Sequence, residues 1–186
     1  KGAKLAMNET KGLSVMMKLL VWEGDHRVPE SAGAVICNFT SAGFDSNNTA
    51  TIQAMLCNLL THIGTGSLNM SQSWEHCSGA VCNCTSSGIE VHDTTVYTML
   101  FSRIKFLFGM ANISRNSLTS LCGAACNLSL IYTNAVYFKQ FQHFLKQSIV
   151  KNYTSDMTTA VGYVKQTLKN LEFHEKVYEK QQQYRY

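Results

Sequence analysis

The sequence has no apolar run of the roughly 18–20 residues that a membrane-spanning helix needs. The best candidate, Val96 to Met110, is interrupted by Arg103 and Lys105. A phosphate-cradling glycine loop is missing, because Gly64-Thr65-Gly66 lacks the rest of such a motif. Nothing resembles a nucleophile elbow or a cysteine-protease signature, and the adjacent His92-Asp93 pair serves equally well as a helix cap. Cys77, Cys82 and Cys84 beside His76 lack the C-x2-C knuckle of structural zinc sites. These absences exclude catalytic and metal-ligating residues from the reading, which expects no cofactor. Proline occurs once, at Pro29, in a charged turn from Glu23 to Glu30. The net charge of +4 is spread over Lys139, Lys146, Lys151, Lys165, Lys169, Lys176, Lys180 and Arg185, among Glu172, Glu175 and Glu179. Such mixing describes a solvated helical surface and argues against a nucleic-acid partner. The chain opens at Lys1 with neither initiator Met nor signal peptide, which reads as a processed fragment whose signal and any anchor lie outside it.

What is abundant is the acceptor pattern Asn-x-Ser/Thr. It occurs eight times, at Asn8, Asn38, Asn47, Asn69, Asn83, Asn112, Asn127 and Asn152. Chance placement of these residue types gives about 2 such triplets. The excess predicts N-linked glycans, which must sit on the surface. Seven cysteines suit the same oxidising route. Cys37, Cys77, Cys82, Cys84, Cys122 and Cys126 are expected to form disulfides, in a connectivity the spacing does not resolve. Cys57, on the apolar side of a predicted helix, is the candidate free thiol. His62, His76 and His92 are candidate pH sensors, since histidine titrates between neutral and endosomal pH.

Hydrophobic patterning predicts strands over Gly12–Trp22, Gly33–Phe39, Gly88–His92 and Leu128–Thr133. It predicts helices around Ile52–Ile63 and Val96–Phe108, then over Ala135–Lys151 and Met157–Glu179, with loops at Ser67–Ser87 and Ala111–Asn127. The expected fold is α/β: a small mixed or antiparallel sheet covered by helices, with glycosylated loops and a long C-terminal helix. No internal repeat is seen. Residues 1–150 are expected as one domain, and 151–186 as a helical extension packing on it or on a partner subunit. Tyr137, Phe138, Phe141, Leu168 and Leu171 are the candidate subunit interface.

Met7-Asn8-Glu9-Thr10 leads into GLSVMMKLLV, followed by Cys37-Asn38-Phe39-Thr40-Ser41-Ala42, the helix TIQAMLCNLLTHIG, and Cys84 before GIEVH. With VYTMLFSRIKFLFGM and LSLIYTN beyond, this order resembles the receptor-binding attachment subunit of arenavirus envelope glycoproteins over residues 7–135. The resemblance implies a small sheet with helices on one face and glycosylated loops on the other. It implies a trimer of heterodimers with a membrane-anchored fusion subunit cut from the same precursor, binding to a host cell-surface receptor, and release or rearrangement at acidic pH. It also suggests the pair Cys37–Cys84, with Cys77 as the second choice. The expected location is the outer face of a virion envelope or host cell, reached through the secretory pathway. The alternatives are a non-viral surface ectodomain, such as a parasite coat antigen or a receptor, and a secreted hydrolase.

Overall fold

Every regular element among the described residues is a helix. The computed structural model describes residues 11–42, 49–66, 70–86, 88–110, 115–151 and 157–183. In chain order the elements are α1 (Gly12–Leu19), α2 (Arg27–Ser41), α3 (Thr49–His62), α4 (Ser71–Thr85), α5 (Thr94–Gly109) and α6 (Arg115–Ser129). A short α7 (Tyr132–Ala135) runs through a 3₁₀ segment (Val136–Phe141) into α8 (Gln142–Lys151), and α9 (Thr158–Gln183) ends the series.

The expected α/β fold is therefore overturned, and with it the sheet. Most of Gly12–Trp22 forms α1, and Leu13, Met16 and Met17, with Leu20 at its C-cap, pack on the core at helical spacing. Gly33–Phe39 lies inside α2, with Ala32, Ile36, Phe39 and Thr40 buried on one stripe. Leu128 and Ser129 close α6. The segment Ile89–His92 is irregular, and it finds no strand to pair with. The buried Asn134 amide stands in for one: its Nδ2 donates to the Ile89 carbonyl at 3.0 Å, and its Oδ1 accepts from Val91 N–H at 2.9 Å. The Tyr97 hydroxyl donates to the Val91 carbonyl at 2.9 Å. Both expected loops are mostly helix, as α4 and α6.

The helices form two rows. In the inner row α2 packs on α4, α4 on α6, and α6 on α9; the outer row runs α1, α3, α5 and the α7–α8 segment. Each outer helix packs on the inner helix that follows it. The structure is thus a short stack of helix pairs, the architecture of a helical-repeat array. The core lies between the rows. Trp74, Tyr97, Phe138, Leu56, Leu60, Leu100 and Ile104 are among its fully buried side chains. Asp93 caps α5 by accepting from Thr95 N–H at 2.8 Å. Arg103 of α5 reaches the end of α3, donating to the Leu60 and Thr61 carbonyls.

A repeat is present in the sequence after all. Gly79-Ala80-Val81-Cys82-Asn83-Cys84-Thr85 of α4 recurs as Gly123-Ala124-Ala125-Cys126-Asn127-Leu128-Ser129 of α6. Ala34-Val35-Ile36-Cys37-Asn38-Phe39-Thr40 of α2 is its earlier version. The asparagines join neighbouring helices. Asn83 Nδ2 donates to the Cys37 carbonyl at 3.2 Å and to Thr40 Oγ1 at 3.3 Å. Asn127 Nδ2 donates to the Cys82 carbonyl and to Thr85 Oγ1, both at 3.4 Å. Asn170 of α9 donates to Ser129 Oγ at 2.9 Å. Each hydroxyl in turn donates to a carbonyl of its own helix: Thr40 to Cys37, Thr85 to Cys82, Ser129 to Cys126. Glycine permits the approach. A Cβ on Gly79 would stand 3.0 Å from Cys37 Sγ, and one on Gly123 would stand 3.2 Å from Cys82 Sγ.

Asn134→Ala leaves the Ile89 carbonyl and the Val91 amide without their partner in a buried place. The expected cost is about 2–3 kcal/mol of unfolding free energy, read by urea denaturation followed by circular dichroism.

Candidate functional site

The most site-like feature is a groove between the α7–3₁₀ segment and the second half of α9. Helix α9 has 26 residues, a length of about 39 Å. Its buried positions all fall between Ala160 and Leu171, so its later turns run on beyond the core. There Leu171, His174, Glu175 and Tyr178 form one wall; Tyr132, Ala135, Val136, Lys139 and Gln142 complete a cavity of about 270 Å³. The helical step explains the first wall, since 171, 174, 175 and 178 share one face.

The groove is apolar at its base and polar at its rim. Tyr132 is 43% exposed, Val136 52% and Tyr178 50%, so three large side chains stand half in water around one hollow. His174 is anchored: its Nε2 lies 3.0 Å from the Ser129 carbonyl, and its ring meets Tyr132 edge-on at 5.7 Å. Gln142 Nε2 donates to Glu175 at 3.1 Å, tying the two walls together. A pocket of this size fits one or two bulky side chains rather than a large cofactor. A second hollow of about 500 Å³ lies at the α1–α2 corner, where Trp22, His26, His62 and Met70 are among its walls. It is built mostly of connectors and helix ends.

Sequence reasoning did not find the groove as such. It singled out Tyr137, Phe138, Phe141, Leu168 and Leu171 for a subunit interface, and the structure turns these inward. Phe138 and Leu171 are buried. Tyr137 stacks on Tyr97 at 5.0 Å and Phe141 on Phe101 at 4.1 Å, so the 3₁₀ segment is clamped against α5. Leu168 packs half-buried against the core. The segment 151–186, read as an extension, supplies the last helix of the inner row.

The predicted modification and switch residues are scattered. Asn8, Asn47, Asn69, Asn112 and Asn152 lie outside the described residues. Asn38 is exposed on α2, whereas Asn83 and Asn127 are half-buried in the seams between inner helices. Their Nδ2, the atom a glycan would occupy, is the donor of the inter-helix bonds. The seven cysteines are all thiols here, so none of the expected bridges, Cys37–Cys84 included, is formed. Burial pushes the Cys77 and Cys84 thiols up to about 12 and raises those of Cys122 and Cys57 as well. Thiols held protonated are poor nucleophiles at neutral pH. Among the described residues no group of three His, Cys, Asp or Glu converges on a metal-sized site, and no single helix is long and apolar enough to cross a membrane.

His62, His76 and His92 have three different surroundings. His76 is half-buried in α4, and exposed His92 lies 3.5 Å from the Glu90 carboxylate. His62 is buried on α3, with Nε2 2.8 Å from Ser73 Oγ. That contact reproduces a serine–histidine pair in distance only, because Ser73 is itself buried in the core. Burial lowers the His62 pKa below its ordinary 6.5. Comparison with protein-family models, curated proteins and solved structures gave no match.

Two outcomes are expected. Asn83→Ala and Asn127→Ala each lower stability by about 1–2 kcal/mol, which chemical denaturation of unglycosylated protein measures. For His62, the unfolded chain takes up the proton first as pH falls through 6.5, so the folded state loses stability from there down to the depressed native value. Melting curves between pH 7.5 and 5 are expected to show that decline, and His62→Gln to flatten it.

Proposed function

We propose that this chain is a recognition module: a helical-repeat scaffold that presents the groove beside α9 to a segment of a partner protein. The observation that carries the reading is the facing pair of half-exposed walls, Tyr132–Val136 on one side and Tyr178 on the other, tied by the Gln142–Glu175 hydrogen bond. Tyrosine beside an apolar floor, with a charged rim, is the composition of a protein-binding hot spot. The partner segment inserts one bulky apolar side chain between the tyrosines, and its flanking polar groups meet Lys139 and His174.

The setting we propose is extracellular. The repeat accounts for the Asn-x-Ser/Thr pattern at Asn38, Asn83 and Asn127, but it gives no reason for the pattern at Asn8, Asn47, Asn69, Asn112 and Asn152. Those five still favour passage through the secretory pathway. The attachment-subunit form of this reading, with its fusion subunit, host receptor and trimer, gains no support from the fold. Among the described residues there is no strand of the sheet it implies, and its most specific motif, around Cys37-Asn38, recurs at Cys82 and Cys126 for a packing reason.

Selection of peptides from a displayed library, followed by calorimetric titration, tests the proposal. Tyr132→Ala with Tyr178→Ala is expected to weaken binding at least about tenfold, the equivalent of roughly 1.4 kcal/mol. Tyr178→Ala alone should leave the melting temperature unchanged, because Tyr178 lies beyond the core. Val15→Ala and Trp22→Ala, far along the array, should leave affinity intact. Binding that ignores the tyrosine pair would sink the reading.

A further inference from the structure

The inner row has two ends, and they are chemically different. At positions that correspond through the repeat, α9 carries Lys169 where α6 has Cys126, and Glu172 where α6 has Ser129. Both are exposed, which gives the outer side of α9 the charged surface of a terminal cap. The outer side of α2 is not finished in this way. Asn38 occupies the place of Asn83 and Asn127, yet its side chain is exposed and donates to no acceptor among the described residues. Val35 occupies the place of Ala80 and Ala124. Those alanines are 0% exposed, whereas Val35 is 44% exposed. A residue larger and more apolar than its buried counterparts thus stands in water beside an asparagine with unused donors.

We infer that the outer face of α2 is a joint for one more helix pair of the same kind, lying N-terminal to it in the same polypeptide. Three successive joints, α2–α4, α4–α6 and α6–α9, are made by an asparagine donating back into the preceding inner helix. Asn38 is the next donor in that series. The helix that would receive it must meet two requirements. It offers a helix carbonyl and, three residues later, a Ser or Thr hydroxyl, as Cys37 with Thr40 and Cys82 with Thr85 do. Ala34 stands where Gly79 and Gly123 make room for sulfur, so the occupant carries a residue smaller than cysteine at the facing position. A second copy of this chain does not meet that requirement. Its free inner helix, α9, would bring the Lys169 stem onto Ala34.

The test compares the native polypeptide, including whatever its transcript encodes upstream of Lys1, with the segment 1–186, both made in bacteria to keep Asn38 free of glycan. In the native polypeptide, Asn38→Ala is expected to lower the melting temperature by about 2–6 °C, as Asn83→Ala does in either protein. Val35→Lys should do the same. In segment 1–186 both changes at the α2 face should move it by less than about 1 °C. The inference is overturned if Asn38→Ala and Val35→Lys are silent in the native polypeptide. An upstream sequence without a helix pair of this pattern overturns it too, as does concentration-dependent self-association of segment 1–186 abolished by Val35→Lys.

Discussion

One interaction sets the spacing of this molecule: a half-buried asparagine amide that reaches across to a carbonyl and a hydroxyl on the neighbouring helix. A carbonyl inside a helix already accepts from the N–H four residues on, and only its second lone pair is left for a neighbour. Here a threonine or serine bonded to its own helix three residues back creates a second acceptor, and the asparagine takes both. At the α2–α4 and α4–α6 joints glycine lines the approach, whereas at α6–α9 Gln166 stands in that place and the bond is still 2.9 Å. Asparagine and hydroxyl are therefore the device common to all three joints. Each joint contributes on the order of 1 kcal/mol, small beside the core, and it pins one point of contact between neighbouring inner helices.

The device explains why the sequence is easily misread. Asn-x-Ser/Thr is the signature of glycan addition, and it is also what an asparagine and a hydroxyl two residues apart look like when each faces a different neighbour. Asn83 and Thr85 serve two different seams: Asn83 bonds back to α2, while Thr85 accepts from α6. The helices over 52–63 and 94–108 and the long final helix were legible from period alone. The four expected strands were not strands, because short apolar runs such as Ala34–Phe39 satisfy either period. The helical stripe was visible in principle at Leu13, Met16, Met17 and Leu20. The 45-residue step from Cys37 to Cys82, and the 44-residue step to Cys126, were visible as well, but the flanking residues differ enough to hide them. The groove was beyond reach, since Tyr132 and Tyr178 are 46 residues apart and no local pattern joins them.

The groove and the array are related. In a stack of pairs each unit leans only on its neighbours. The groove lies inside the last described pair, between α7 and α9, where α9 outruns the core and the tyrosines stand exposed. A repeat scaffold can place a recognition surface at its end with little cost to the interior, because the changes stay within the last unit. The anchoring of His174 to the Ser129 carbonyl fits this arrangement: the wall of the groove hangs from the same residue that receives Asn170.

The Asn170–Ser129 joint differs from the others in one respect. Asn83 and Asn127 each reach a carbonyl and a hydroxyl, whereas Asn170 bonds to the hydroxyl alone. His174 supplies the other bond, to the Ser129 carbonyl, so this seam too is crossed by two bonds, and both end on one residue. Ser129 thus gathers what Cys37 with Thr40, or Cys82 with Thr85, divide between two positions. The last seam and the wall of the groove are set by the same residue.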